Sequence, residues 1–315
     1  MSEDRLIALL RGIARHPGAR GLMDDAAVLA VPQGDLVLTH DMLVEGVHFQ
    51  SDDAPADVAW KLVAVNMSDL AAKGATPLGV LTGVGMARDD DWNAAFVAGL
   101  GAALGHFGVP LLGGDTVRMP DGAPLTLGLT AIGRAPPGGV PQRGGARPGD
   151  DLWVSGTIGD AGLGLALRQR AARAPAALIA AYCRPQPRLL LGGALAPLVT
   201  AMMDVSDGLL IDASRMATAS GCAVTIALDA VPLSAAARAF AGATLDARLA
   251  AATAGDDYVL LFAADPAAAA ELAALAATHA TMLTRVGTFA AGQGIKLTDG
   301  GVPVPLPAKL GYLHR

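Results

Sequence analysis

Residues 202–212, MMDVSDGLLID, place an apolar run, an aspartate, a Ser-Asp-Gly turn and a renewed apolar pattern in close succession. The apolar run reads as a buried strand ending at Asp204, and the turn sets Ser206 at the N-cap of the helix that follows. Helix N-termini carry unpaired N–H groups that favour anions. A strand that enters a helix through so short a turn is the unit of layered α/β structure. The stretch also collects Asp204, Asp207 and Asp212 beside chain that should be buried, and that concentration of charge needs a reason.

The same pattern extends on both sides. DLWVSG (151–156), AVTIAL (223–228), DYVLLFAA (257–264) and TRVGTF (284–289) read as strands, separated by Ala-rich helices, one of which enters at Asp160. This half is expected to be a layered α/β domain. APPGGVPQRGGARPGD (135–150) is rich in Pro and Gly without apolar periodicity and reads as the loop between two halves. Upstream, AAVLAV (26–31), DLVLTHD (35–41), LGVLTGVGM (78–86), PLLGGD (110–115) and LTLGLTAIG (125–133) alternate with helical patterns that begin near Pro55 and Asp91. The expected fold class is α+β in two domains, residues 1–137 with a mixed sheet and helices and residues 148–315 with the layered α/β arrangement.

Composition removes several function classes. A formal charge of −6 leaves no basic face for a mainly electrostatic grip on nucleic acid. The chain has 52% hydrophobic residues, and its longest apolar window, around LLLGGALAPLVTAMMD, is broken by Gly and Pro. It falls short of the ~20 residues that a membrane helix needs. The N-terminal MSEDRLIALLRGIARH reads as an amphipathic helix rather than a signal peptide. Two cysteines, Cys183 and Cys222, lack CxxC spacing, so reduced thiols and a cytoplasmic setting are expected.

Aspartates recur at predicted strand ends: MDD at 23–25, THD at 39–41, GGD at 113–115, DVSD at 204–207 and GDD at 255–257, with Asp69 inside the first long helix. Each alone is a common cap or turn residue. Together they imply cations, because gathered carboxylates repel. Scattered Asp pairs suit Mg²⁺, which keeps several waters and bridges to phosphates through one or two carboxylates. Sparse His and Cys argue against zinc, and no EF-hand loop, P-loop or HRD and DFG pair occurs. Glycines beside these acids, in GGDT, SDG and SGTIGDAGLG, allow the backbone to approach a phosphate.

The ordered set MDDAAVL, THDMLVEGVHF, NMSDLAAKGATP, GGDT, GRA, VSGTIGDAGLG, RPQPRL, DVSDGL and GDDY resembles the thiamine-monophosphate kinase family of the aminoimidazole-ribonucleotide synthetase superfamily. The resemblance spans nearly the entire chain. It implies ATP-dependent phosphorylation of thiamine monophosphate to thiamine diphosphate by direct attack of the substrate phosphate, with several Mg²⁺ ions and a homodimer built through the N-terminal domains. It implies Asp25, Thr39, His40, Asp41, Asp69, Asp115, Asp204 and Asp207 as metal ligands, and Gly114, Asp115, Arg134 and Ser206 at the nucleotide. His48, Asp256 and Lys309 fall on the substrate side. No covalent nucleophile is implied.

Four positions depart from the family pattern. Met23 replaces the usual Gly, His40 a common Thr or Ser, Asp256 a frequent Glu, and Lys309 stands near where relatives place an aromatic. Without the resemblance, Arg134 is a surface charge after a strand and His48 a packed histidine. A dinucleotide-dependent oxidoreductase is a weaker reading of VSGTIGDAGLG, since residues 162–167 give GxGxxL and no acidic residue follows at the Rossmann spacing. A non-catalytic nucleotide-binding module would not need so many separate acidic sites. Another ATP-dependent enzyme of the superfamily, acting on a different phosphorylated small molecule, remains the alternative.

Overall fold

The computed structural model describes residues 3–17, 19, 34–86, 89–172 and 174–313. The expected strand AAVLAV, together with Met23 and Asp25, lies outside them. The chain divides into two compact units, residues 1–70 with 76–135, and residues 71–75 with 136–315. Among the described residues no helix is long and apolar enough to cross a membrane.

The N-terminal unit begins with α1 (Glu3–Ile13) and β1 (Leu36–Val44), followed by α2 (Pro55–Ala72), β2 (Thr76–Met86), α3 (Asp90–Phe107), β3 (Leu111–Arg118) and β4 (Thr126–Arg134). Pro55 opens α2, where a missing N–H costs nothing, and Asp57 sits in the favourable first turn. Asp89 caps α3 by accepting the Asp91 N–H at 2.8 Å, and Gly108 ends that helix in the left-handed conformation with φ 64°. The sheet order is β1-β4-β2-β3. Among the described strands only β2 and β3 run parallel, and α3 supplies the long crossover that a parallel pair requires.

Period-two alternation gives this sheet two unlike faces. Leu43 of β1 and Leu127, Leu129 and Ala131 of β4 are buried, while Leu38 and Met42 of β1 are 64% and 50% exposed. Leu36, Leu81 and Val117 are exposed as well. In the register, Thr130 of β4 pairs with both His40 and Leu81, so these three side chains share the open face.

The C-terminal unit contains β5 (Asp151–Ser155), α4 (Asp160–Gln169), α5 (Ala176–Cys183), α6 (Leu189–Leu195), β6 (Ala201–Asp204), α7 (Leu209–Ser220) and β7 (Ala223–Ala227). It continues through α8 (Ala235–Ala241), α9 (Leu245–Thr253), β8 (Leu260–Ala264), α10 (Ala269–Thr278), β9 (Leu283–Ala290), β10 (Gly294–Asp299) and β11 (Val302–Val304). Its sheet has the order β11-β10-β7-β9-β5-β8-β6. Only β7 and β10 pair in parallel.

Strand β8 is buried along its whole length. Its alternate residues feed different cores: Leu261 and Ala263 join Val154, Met203, Leu209 and Val224, whereas Leu260 and Phe262 join Met202, Leu191, Leu195 and Leu272. A sheet covered on both faces explains why its strands read as continuous apolar runs. Three elements differ from the sequence expectation. Helix α7 starts at Leu209 with Gly208 as its cap, later than Ser206. Strands β10 and β11 went unread because GQGIKLTDGGVPV mixes glycines, a lysine and a proline, and Pro303 is tolerable only because β11 is an edge.

Helices α4 and α5 approach closely at Gly164, where an added Cβ would collide with the Leu178 carbonyl and lie 2.9 Å from the Tyr182 Cβ. Backbone there cannot yield as a flexible side chain would. Gly164→Ala is therefore expected to destabilise the protein by ~1–3 kcal/mol, the usual cost of overpacking, read as a lower denaturant midpoint.

Candidate functional site

In the N-terminal unit, one face of β1 presents Thr39 and Asp41 toward α2. The Asp41 backbone N–H donates to Asn66 Oδ1 at 3.2 Å, and the Thr39 hydroxyl donates to Asp69 Oδ2. Asn66 is fully buried and also donates from Nδ2 to the Leu62 carbonyl at 3.0 Å, so its amide orientation is set by its own helix. Burial first, and the nearby charge of Asp69 second, raise the Asp41 carboxyl to about 6. Thr39, Asp41 and Asp69 thus come together as hard oxygen donors around an uncompensated pair of carboxylates, a set that suits Mg²⁺.

The other described residues proposed from sequence in this unit lie elsewhere on it. His40 projects to the opposite face of β1, where Nδ1 sits 2.9 Å from Thr130 Oγ1. Its side chain does not join Thr39 and Asp41. The cross-strand row that contains Asp41 continues through Leu129 and Thr82 to Gly114, while Asp115 falls in the row of Met42, Gly128 and Gly83. Gly114 has no room for a side chain, since a Cβ would run into the Thr82 backbone. Arg134 is exposed at the end of β4. His48 accepts the Val44 N–H on Nδ1 at 3.0 Å, which leaves the neutral ring with its proton on Nε2. The buried Lys61 donates to the His48 carbonyl at 3.0 Å and holds that turn in place.

In the C-terminal unit the DVSDG turn is organised by Asp212, which was proposed from sequence neither as a ligand nor as a cap. Asp212 is fully buried. Its Oδ2 accepts three backbone N–H groups, from Ser206 at 3.1 Å, Asp207 at 3.0 Å and Gly208 at 3.2 Å. The expectation that Ser206 caps the helix with N–H groups open to an anion is corrected accordingly, because a carboxylate of the same chain already takes these donors. Arg215 Nη1 donates to Asp212 Oδ1 at 2.8 Å and to Asp207 Oδ2 at 2.5 Å. Burial raises the Asp212 carboxyl, and the Asp207 N–H and Arg215 act in the opposite direction. Asp212→Arg215 is an ordinary i,i+3 helix spacing, the only sequence signal that could have found this pair.

The turn also anchors two other segments. Ser206 O accepts the Asp256 N–H and Val205 O the Tyr258 N–H, each at 2.8 Å, and Asp207 O accepts the Tyr312 N–H at 2.9 Å. Asp204, Ser206, Asp207, Asp256 and the chain around Lys309 are thereby brought to one end of β6. Asp256 and Tyr258 adopt left-handed backbone, with φ 69° and 49°. Tyr258 Oη donates to Asp256 Oδ1 at 3.2 Å. Nearby, Asp257 accepts the Gly159 N–H on both oxygens, at 3.0 and 2.8 Å, and burial pushes its carboxyl well up. The N-terminus of α4 is thus closed by a carboxylate of the chain. Among the described residues no three His, Cys, Asp or Glu side chains form a ready-made metal cage.

Comparison with known proteins places this geometry in a family. The AIR synthase related protein, N-terminal domain, matches residues 23–135, and the corresponding C-terminal domain matches residues 147–300. Thiamine-monophosphate kinase of Caulobacter vibrioides is 41% identical, with 99% of this chain and 90% of that protein aligned. The crystal structure of thiamine-monophosphate kinase from Stenotrophomonas maltophilia superposes with a TM-score of 0.84 at 38% identity, covering 96% of each chain. AaThiL complexed with AMPPCP and TMP superposes with a TM-score of 0.77 at 28% identity, covering 99% of this chain and 97% of that one. The chain belongs to the AIR synthase related family and, within it, to the thiamine-monophosphate kinases.

Proposed function

We infer that this protein phosphorylates thiamine monophosphate to thiamine diphosphate at the expense of ATP. The observation that carries the reading is full-length kinship with thiamine-monophosphate kinases, one of which is known in complex with AMPPCP and TMP. A phosphate oxygen of the acceptor attacks the γ-phosphorus, the bond from that phosphorus to the β,γ-bridging oxygen breaks, and ADP departs. The acceptor is anionic at neutral pH, so positioning and charge neutralisation matter more than a general base.

Bound magnesium would supply that neutralisation. Thr39, Asp41 and Asp69, Asp115, and Asp204 with Asp207 are the proposed ligands, joined by Asp25. His40, turned toward Thr130, would take no part through its ring. Gly114, Asp115, Arg134 and Ser206 are proposed at the nucleotide, Arg134 through its planar donors and Ser206 through its hydroxyl, since its N–H is already bound. His48, Asp256 and Lys309 are proposed to face the substrate. The exposed apolar side of the N-terminal sheet supports a homodimer, because Leu36, Leu38, Met42, Leu81 and Val117 together form a face that water covers poorly. A cytoplasmic location accords with a soluble phosphorylated substrate.

Purified protein given ATP, Mg²⁺ and thiamine monophosphate should yield ADP and thiamine diphosphate in equal amounts, measured by chromatography. Turnover of another acceptor with none of this one would overturn the assignment. Asp41 adds a pH dependence. With its carboxyl at about 6, a metal must displace a proton below that pH. The half-saturating Mg²⁺ concentration, followed by thermal shift without nucleotide, is expected to rise roughly tenfold per pH unit below 6 and to level off above it. For the metal-free protein the sign is opposite: the stabilisation from this raised carboxyl is complete below 3.8 and is lost as pH rises through about 6. Leu38→Asp should convert the dimer to monomer by light scattering, with the monomer retaining its far-UV circular dichroism.

A further inference from the structure

Asp207 is held by a resident cation. One guanidinium nitrogen, Arg215 Nη1, bridges Asp207 Oδ2 at 2.5 Å and Asp212 Oδ1 at 2.8 Å. The two carboxylates differ in freedom. Asp212 is fully buried and locked by three backbone N–H groups, whereas the Asp207 side chain is 21% exposed and has Arg215 as its charge partner. The three N–H bonds to Asp212 hold the turn backbone whether or not Asp207 is paired, and Arg215 orients the Asp207 carboxylate.

We propose that Arg215 is a displaceable counter-ion that occupies Asp207 when metal is absent and yields it to Mg²⁺, remaining anchored on Asp212. The inference rests on the reading of Asp207 as a metal ligand. It makes Arg215 a positioning residue with a definite cost: part of the Mg²⁺ affinity at this carboxylate is spent in breaking an existing charge-assisted hydrogen bond. In return, Asp207 is held in place at the turn rather than left as an unpaired, partly buried charge that would repel Asp212.

The test is Mg²⁺ alone, titrated by thermal shift and calorimetry into the full-length protein without nucleotide. Arg215→Gln should lower the melting temperature in EDTA and tighten the Mg²⁺ midpoint roughly fivefold, the scale of a partly exposed ion pair. Arg215→Lys, which keeps the charge on a single compact ammonium, should fall between, and it decides the matter if the Gln variant does not fold. In an Asp207→Asn background the Arg215 substitution should no longer move the midpoint. A midpoint unchanged or weakened in the Arg215 variants, or one that still shifts when Asp207 is Asn, overturns the proposal. Wild-type turnover of thiamine monophosphate, assayed in parallel, separates the two readings: an inactive wild type whose Mg²⁺ midpoint responds to Arg215 sinks only the proposed activity. An active wild type with an unresponsive midpoint sinks only the displacement.

Discussion

The buried carboxylate of Asp212, accepting three consecutive N–H groups, is the constraint on which the acidic turn of the C-terminal unit depends. A carboxylate without such partners would be driven to neutrality in that position. Three backbone donors and one guanidinium compensate it, and its place in the first turn of α7 adds the favourable end of the helix dipole. The consequence is geometric. With the N–H groups of 206–208 turned inward onto Asp212, the carbonyls of Val205, Ser206 and Asp207 are left to receive Tyr258, Asp256 and Tyr312. One buried charge thus orders three separate segments of chain.

The two units treat their acidic residues differently, and the difference is electrostatic. Burial and the charge of Asp69 together raise the Asp41 carboxyl to about 6, and the weaker acidity relieves part of the repulsion. Asp207 and Asp212 are bridged by Arg215, and the repulsion is relieved by a fixed cation. Both devices let carboxylates stand close together.

Much of this was legible in the sequence because periodicity reports which way a side chain faces. The alternation of DLVLTHD identified β1, and the helical pattern from Pro55 put Asp69 on α2. The same alternation implies that His40 must leave Thr39 and Asp41, a consequence that family resemblance obscured and the hydrogen bond to Thr130 makes plain. Asp212 was illegible for another reason. A polar residue in a helix reads as surface unless its partners are known, and those partners are backbone N–H groups, which leave no trace in residue types. Strands β10 and β11 were hidden by the glycines around them and by Pro303, which the edge position of β11 tolerates.

Backbone conformation gives a physical sense to one departure from the family pattern. Asp256 sits at φ 69°, a region in which Asp and Asn are enriched because their short polar side chains can bond locally. A Glu there would carry its carboxylate one methylene further but would lack that local compensation. The Asp256 carboxylate is instead bonded by the Tyr258 hydroxyl at 3.2 Å, itself on a left-handed residue with φ 49°. Two strained positions, one residue apart, are thus held by backbone bonds to Ser206 and Val205 and by one side-chain bond between them. The shorter acid is matched to the turn that presents it, and that turn is pinned through Ser206 to Asp212.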